Sequence, residues 1–321
     1  MNKEIKKFAV LIDADNTSAH AIEPVLEEIA KYGIASVKRI YGDWSMENLQ
    51  TWRDKLLPNA ITPVQQFAYV KQKDATDMKL VIDAMDLLYA GDLDGFCIVS
   101  SDSDFTPLVS RIRESGLTVY GFGKQNTVNS FVNACDRFFY IENLMPLKNK
   151  SEGTVNQEKT VSEVNELTSQ PINIDSQTLN LIYKAVKECT KDNGWASLSE
   201  VGSYISTVKP DFDTRTYGYS KLSEFINSLP KFETNIADKT IYVRKFSFAK
   251  FISCIRNLIS QQVGTGDWMS IKTVAHILYQ QRHANGLDNH NQDDILQKIK
   301  AIYGSYLEFD EHKTKVKLPI E

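Results

Sequence analysis

The sequence predicts an α/β fold, a parallel sheet covered on both faces by helices, followed by C-terminal α+β modules of winged-helix type. Three observations predict it. Over about the first 145 residues, short apolar runs alternate with helical patterns, as in a parallel α/β sheet. Those runs are continuously apolar rather than alternating, which marks strands buried on both faces. Beyond a polar stretch, a Trp-x-Ser pattern then occurs twice.

The strands are predicted at Phe8–Ile12, Ser36–Tyr41, Thr62–Phe67, Phe96–Val99, Thr118–Phe122 and Phe138–Ile141. Helical patterns fall between them, near 20–32, 46–56, 77–89, 105–115 and 128–135. Gly33, Gly116 and the Gly121-x-Gly123 turn punctuate the element ends. These elements define a first domain at 1–147. Residues 148–174 are polar, acidic and poor in bulky side chains, the composition of a flexible linker.

Gly194-Trp195-Ala-Ser197-Leu198-x-x-Val201 then recurs as Asp267-Trp268-Met-Ser270-Ile271-x-x-Val274. Each copy follows an amphipathic helix (Leu179–Thr190; Phe251–Gln262) and precedes another (Tyr219–Ser228; Asp293–Tyr303). Each ends in a hairpin: Phe232–Thr234 with Ile241–Val243, and Leu307–Phe309 with Val316–Leu318. Three helices and a hairpin make a winged helix, so 175–245 and 246–321 read as two modules, the second diverged. Trp195, Leu198, Val201, Leu222 and Phe225 are apolar at helical spacing and are expected in the core.

With 42% apolar and 24% charged residues, the composition is that of an ordinary soluble protein. No apolar run approaches the ~18 residues of a membrane span, and the N-terminus leads straight into a strand without a signal-peptide pattern. Cys97, Cys135, Cys189 and Cys254 stand far apart, which predicts reduced thiols, a cytoplasmic location and no zinc site. Net charge is −4, yet residues 175–321 carry 19 Lys/Arg against 17 Asp/Glu, a balance that permits RNA binding.

The chemistry lies in the carboxylates. The first strand delivers Asp13, Asp15 and Asn16, and the fourth delivers Asp102 and Asp104 through Ser100-Ser101. Ligands of open parallel sheets gather at the carboxyl ends of strands, and hard divalent cations take oxygen ligands. Asp77 lies at a predicted helix start where Thr76 is placed to cap. If the first and fourth strands are neighbours, Asp13, Asp102 and Asp104 converge and Asp77 reaches the same crevice. Clustered carboxylates need a cation unless some of them stay protonated, and Mg²⁺ or Mn²⁺ there acidifies water and stabilises charge on a phosphate. Asn16 and Ser101 would hold ligands or phosphate oxygens by hydrogen bonds.

Asp83, Asp86, Asp92 and Asp94 read as solvated surface, with Asp83 the one that could also join the site. Lys71, Lys73 and Lys79 flank the Asp77 helix as candidate RNA-backbone contacts, and Tyr41, Trp44 and Tyr69 as candidate stacking surfaces. His283 and His290 with Asp288 read as exposed loop residues rather than a metal site.

Val-Leu-Ile-Asp13-Ala-Asp-Asn16, Lys73-Asp-Ala-Thr-Asp77-Met-Lys-Leu-x-x-Asp83-Ala-Met and Ser100-Ser-Asp102-Ser-Asp104-Phe-x-Pro-Leu, in that order, resemble the NYN domain of the PIN-like nucleases. The resemblance spans about residues 5–145. It implies a metal-dependent ribonuclease fold with acids at Asp13, Asp77, Asp102 and Asp104. Ser101 departs from the family, where a Gly is common. The competing pattern is Asp13-Ala-Asp15-Asn-Thr17, which also fits the D-x-D-x-T signature of haloacid-dehalogenase-like phosphatases. There Asp13 would be a covalent nucleophile and Asp15 the general acid.

Gly194-Trp-Ala-Ser-Leu, Arg215-Thr-Tyr217-Gly-Tyr219 and Ile241-Tyr-Val-Arg244 resemble a LOTUS (OST-HTH) domain across 175–245. That resemblance implies RNA binding or a protein contact. Arg215, Tyr217, Tyr219, Lys221 and Arg244 are its polar and aromatic positions expected to face RNA. The expected whole is a metal-dependent ribonuclease for single-stranded or structured RNA. Its winged-helix modules would choose the target, contact a protein partner or self-associate. The alternatives are an RNA-binding scaffold with little cleavage and the phosphatase.

Overall fold

The structure is a computed structural model, and it describes residues 5–67, 75–145, 174–263, 266–285, 287, 290–302 and 306–319. Tyr69, Lys71, Lys73, Asp288 and nearly all of the expected linker lie outside the described residues.

The apolar runs form β1 (Lys7–Asp13), β2 (Ile34–Gly42), β3 (Thr62–Gln65), β4 (Gly95–Val99), β5 (Thr118–Gly123) and β6 (Arg137–Tyr140). Each expected strand is present, its ends displaced by no more than two residues. They make one sheet in the order β3-β2-β1-β4-β5-β6, every neighbouring pair parallel. The helices are α1 (Ile22–Ala30), α2 (Arg53–Leu56), α3 (Ala75–Ala90), α4 (Thr106–Glu114) and α5 (Asn129–Ala134). Short 3-10 turns lead into three of them, at Ala19–Ala21, Glu47–Trp52 and Ser103–Phe105.

Alternate residues of β1 explain its unbroken apolarity. Phe8, Val10 and Ile12 pack with α1 and Trp52 on one face, while Ala9 and Leu11 pack with α3, α4 and α5 on the other. From β1 the chain builds outward through β2 and β3, then returns through α3 to lay β4 on the opposite side of β1. The winding therefore reverses between β1 and β4, which opens a crevice at their carboxyl ends.

The second half repeats one motif. The first copy is α6 (Ser176–Cys189), β7 (Ala196–Ser197), α7 (Leu198–Val208), α8 (Leu222–Asn227), β8 (Phe232–Ala237) and β9 (Thr240–Lys245). The second copy is α9 (Phe248–Gln262), β10 (Met269–Ser270), α10 (Ile271–Gln280), α11 (Arg282–Asn285), α12 (Gln292–Lys300), β11 (Glu308–Phe309) and β12 (Lys315–Lys317). Their antiparallel sheets correspond, in the orders β7-β9-β8 and β10-β12-β11.

Of the residues expected in the core, Leu198, Val201 and Phe225 are buried, whereas Leu222 is half-buried and the Trp195 expectation needs correcting. Trp195 is only half-buried, and Trp268 is 44% exposed. In each copy a hairpin cation lies over the indole: Arg244 at 4.2 Å from the Trp195 ring centre, Lys317 at 5.0 Å from Trp268. The repeated Trp thus carries a cation–π contact rather than a core anchor.

By contacts the chain divides into two units, with Ile205–Thr216 grouped with the first rather than the second. Within the first unit the Phe138 N–H of the edge strand β6 donates to the Pro210 carbonyl at 3.0 Å. The Tyr140 hydroxyl donates to Asp211 Oδ2 at 2.9 Å. Cys97 and Cys135 are buried, and all four cysteines are free thiols. Among the described residues no helix is long and apolar enough to cross a membrane.

Candidate functional site

Asp13 ends β1 and is 1% exposed. Its Oδ1 accepts the backbone N–H groups of Asp15 (3.1 Å) and Asn16 (3.2 Å), an Asx turn that stops the strand. Its Oδ2 accepts the Asn16 side-chain amide at 2.8 Å and the Ser100 hydroxyl at 2.7 Å. Ser100 is the first residue after β4, and its Oγ also accepts the Asp102 N–H at 3.0 Å. Thr17 makes a second tie across the crevice, its hydroxyl donating to the Val99 carbonyl at 3.1 Å.

Asp102 then caps the turn that opens α4, with Oδ1 accepting the Asp104 N–H at 2.9 Å. Pro107 stands in the first turn of α4, where its missing N–H costs nothing. Asp104 is exposed. Ser101 faces another way, accepting the Lys124 N–H at 2.9 Å from the segment after β5. Gly123 closes the floor: a Cβ there would stand 2.8 Å from the Ser100 carbonyl oxygen.

α3 ends at Ala90 shortly before β4 begins at Gly95, so its N-terminal turn, with Asp77, lies toward the carboxyl ends of the strands. The described helix begins at Ala75, which puts Thr76 inside the first turn instead of at the cap. Asp83 is not solvated surface. It is 8% exposed and accepts from Arg39 Nη1 (3.1 Å), the Tyr41 hydroxyl (3.1 Å) and Lys79 Nζ (2.9 Å). Burial alone would raise its pKa, but the hydrogen bonds and charges of Lys79, Tyr41 and Arg39 outweigh it and hold the carboxyl below its usual range. Asp83 is thereby committed to α3–β2 packing, and with it Lys79. Tyr41 is fully buried, so it offers no stacking surface. Trp44 is half-buried, its indole N–H donating to the Val64 carbonyl at 3.1 Å.

Two acids with weaker sequence signals join the rim. The Asp15 carboxyl is held above its usual range, first by partial burial and then by the like charges of Asp13 and Asp43. Asp43 follows β2 and anchors its own turn, accepting from Ser45 and Gln65. Ser100 carried a usable signal: it follows Val99, whose partner across the β1–β4 pair is Ile12, so its place beside Asp13 follows from register.

The donor set suits a hard divalent cation, being carboxylates beside one another at a strand end, and the mutual repulsion at Asp15 is what a cation relieves. As placed, the side chains do not close on one point. Among the described residues no group of three His, Cys, Asp or Glu side chains is gathered closely enough to hold an ion.

The positions expected to face RNA are mostly engaged. Arg215 pairs through Nε and Nη2 with Asp213 and through Nη1 with Glu28 at 2.9 Å, within the first unit. Arg244 Nε pairs with Glu233 at 2.6 Å. Tyr217 stacks on Phe225 at 5.0 Å and shares a hydrogen bond with Thr178, and the Tyr219 ring also leans on Phe225. Lys221 is exposed at the start of α8.

The family model described as NYN domain matches residues 7–142, and that described as OST-HTH/LOTUS domain matches residues 171–243. No functionally curated protein matches the chain. Among solved structures, a protein of unknown function from Vibrio parahaemolyticus is similar at 19% identity, over 43% of this chain and 94% of its own, with a TM-score of 0.36. An uncharacterized protein from Nitrosomonas europaea is similar at 25% identity, over 29% of this chain and 93% of its own, with a TM-score of 0.23. The chain carries an NYN domain, of the PIN-like nuclease class, followed by an OST-HTH/LOTUS domain.

Proposed function

We propose that the NYN domain is a metal-dependent ribonuclease and that the OST-HTH/LOTUS domain supplies RNA binding. The observation that carries the reading is the pairing of Asp13 with the Ser100–Asp102 turn where the winding of the sheet reverses. Parallel sheets bind ligands at that place. The NYN match over the same residues favours this reading over the phosphatase signature.

Asp13, Asp102, Asp104 and Asp77 would hold Mg²⁺ or Mn²⁺. When bound, such an ion supplies positive charge against the phosphodiester and acidifies water. The protein's own part is positioning. Asn16 and Ser100 fix the Asp13 carboxylate by charge-assisted hydrogen bonds. Asp102 holds the turn that presents Asp104.

One observation favours a second reading, an RNA-binding protein with little cleavage: Asp13 already accepts four hydrogen bonds, which a cation must compete with or share. Incubating end-labelled single-stranded RNA with the protein in Mn²⁺ or Mg²⁺, and again in EDTA, separates the two. Products formed only with the metal support the ribonuclease. Intact RNA that nonetheless shifts in a gel supports the binding protein.

A further inference from the structure

The two modules of the second unit meet at a buried seam. Lys298 Nζ of α12 donates to the carbonyls of Pro230 (2.9 Å) and Phe232 (2.8 Å), at the start of β8. His290 is 8% exposed, its ring 5.6 Å from that of Phe246 and its Nε2 3.4 Å from Glu233 Oε2. It is therefore not the exposed loop residue its sequence context suggests. This seam holds the first hairpin against the second module, and a groove opens where they join.

Two hollows make up the groove, of about 290 and 450 Å³, and Tyr183 and Lys245 line both. The first lies between the modules, reaching from Lys231 to Phe248 and Ile252 of α9. The second continues along α6 past Lys187 to Arg244. Tyr183 is the shared wall, half-buried because its ring packs on the core ring of Phe232 at 4.9 Å. Lys231 Nζ and Lys245 Nζ stand 5.9 and 5.8 Å from the centre of that one ring.

The charge of the groove is one-sided. Lys187, Lys231, Arg244 and Lys245 line it, and no Asp or Glu does. Glu233 offsets Arg244, but the three lysines are exposed and have no acid partner among the described residues. Two ammonium groups gathered on one ring repel each other, and an anion between them relieves the repulsion. Because the cations span both hollows, they suit a chain of phosphates better than one compact anion. A positive groove with an aromatic wall is how proteins track the backbone of a single strand.

We propose that this groove, shared by the two modules, holds the sugar–phosphate backbone of a single-stranded RNA, with Lys187, Lys231 and Lys245 meeting its phosphates. The inference rests on the RNA-binding reading above. It assigns the contact to residues other than Arg215, Tyr217, Tyr219 and Lys221, and gives the second module a share in it. The test is fluorescence anisotropy of the full-length protein with a labelled single-stranded RNA across a salt series, in EDTA so that nothing is cleaved. The double variant Lys231→Gln/Lys245→Gln, shown to be folded by circular dichroism, is expected to bind about tenfold more weakly or worse at low salt. Its plot of log affinity against log salt should be shallower by about 1.4, the counterion release of two single-strand phosphate contacts. Lys272→Gln, an exposed lysine of α10 outside the groove, should keep the wild-type affinity and slope. Wild-type affinity and slope in the double variant, or an equal loss from Lys272→Gln and Lys245→Gln, overturns the groove but leaves RNA binding standing. No binding by the wild-type protein overturns both.

Discussion

The Ser100 hydroxyl donates to Asp13 Oδ2 at 2.7 Å, joining the end of β4 to the acid at the end of β1. The same oxygen accepts the Asp102 N–H, so one serine sets the spacing of two acids that the sequence separates widely. Residues that orient a metal-ligating carboxylate commonly matter 10–100-fold. Ser100→Ala is accordingly expected to lower RNA cleavage about tenfold or more, with a stability loss of about 1 kcal/mol. Cleavage assays beside urea denaturation check this. A stability loss with unchanged cleavage removes Ser100 from the site.

Gly123 tests the same geometry from beneath. A methyl group there meets the Ser100 carbonyl, Thr127 Oγ1 and the Phe138 ring, each at 2.8 Å. Backbone cannot give way as a flexible side-chain tip can, so the overpacking in Gly123→Ala is expected to cost about 1–3 kcal/mol. Cleavage should fall with it as the Ser100 turn is displaced, measured at a temperature where the variant remains folded.

Asp83 should behave as a structural acid. Asp83→Ala leaves the Tyr41 hydroxyl and Arg39 without their acceptor and is expected to cost about 2 kcal/mol. The pH dependence has a fixed sign. The folded carboxyl titrates below its ordinary value of 3.8, so its stabilisation is complete above that pH and is lost as pH falls through the folded value. Asp83→Asn should therefore show a shallower acid branch than wild type in denaturation curves across pH 2–6. Equal branches would contradict the assignment.

Arg215 separates a structural reading of its motif from an RNA-binding one. Glu28 is 4% exposed and shares its carboxylate between Arg215 and Lys31. That pairing holds the Glu28 carboxyl below its usual range against the effect of burial. Removing one partner of a buried pair is costly, and with Lys31 remaining the expected loss for Arg215→Ala is about 1–2 kcal/mol. Denaturation of the variant measures it. Wild-type stability together with weakened RNA binding would return Arg215 to the RNA surface.

Much of the fold was legible because both faces of the first sheet are covered, so its strands read as unbroken apolar runs. The repeat of Trp195 and Trp268 likewise announced two similar modules. The site was legible in part. Asp13 and Asp102 stand at strand ends, where local pattern and topology agree. Asp83 was not legible, because its burial depends on Arg39 and Tyr41 from β2, far away in sequence. Arg215 and Arg244 look unpaired along the chain and are met by Glu28 and Glu233 in space, while their side chains stay partly exposed. His290 was not legible either, because the Phe246 ring and the Glu233 carboxylate that bury it come from far back in the sequence.

Asp13 and Asp102 are proposed to form one metal-dependent cleaving site. Its most direct measurement is the initial rate of cleavage of end-labelled single-stranded RNA in Mn²⁺ by Asp13→Asn, Asp102→Asn and the exposed control Asp86→Asn, each first shown to be folded by circular dichroism. Losses of a hundredfold or more are expected for the first two, roughly the several kcal/mol a metal site supplies, and wild-type cleavage for the control. Wild-type cleavage by a folded Asp13→Asn or Asp102→Asn would contradict the proposed site.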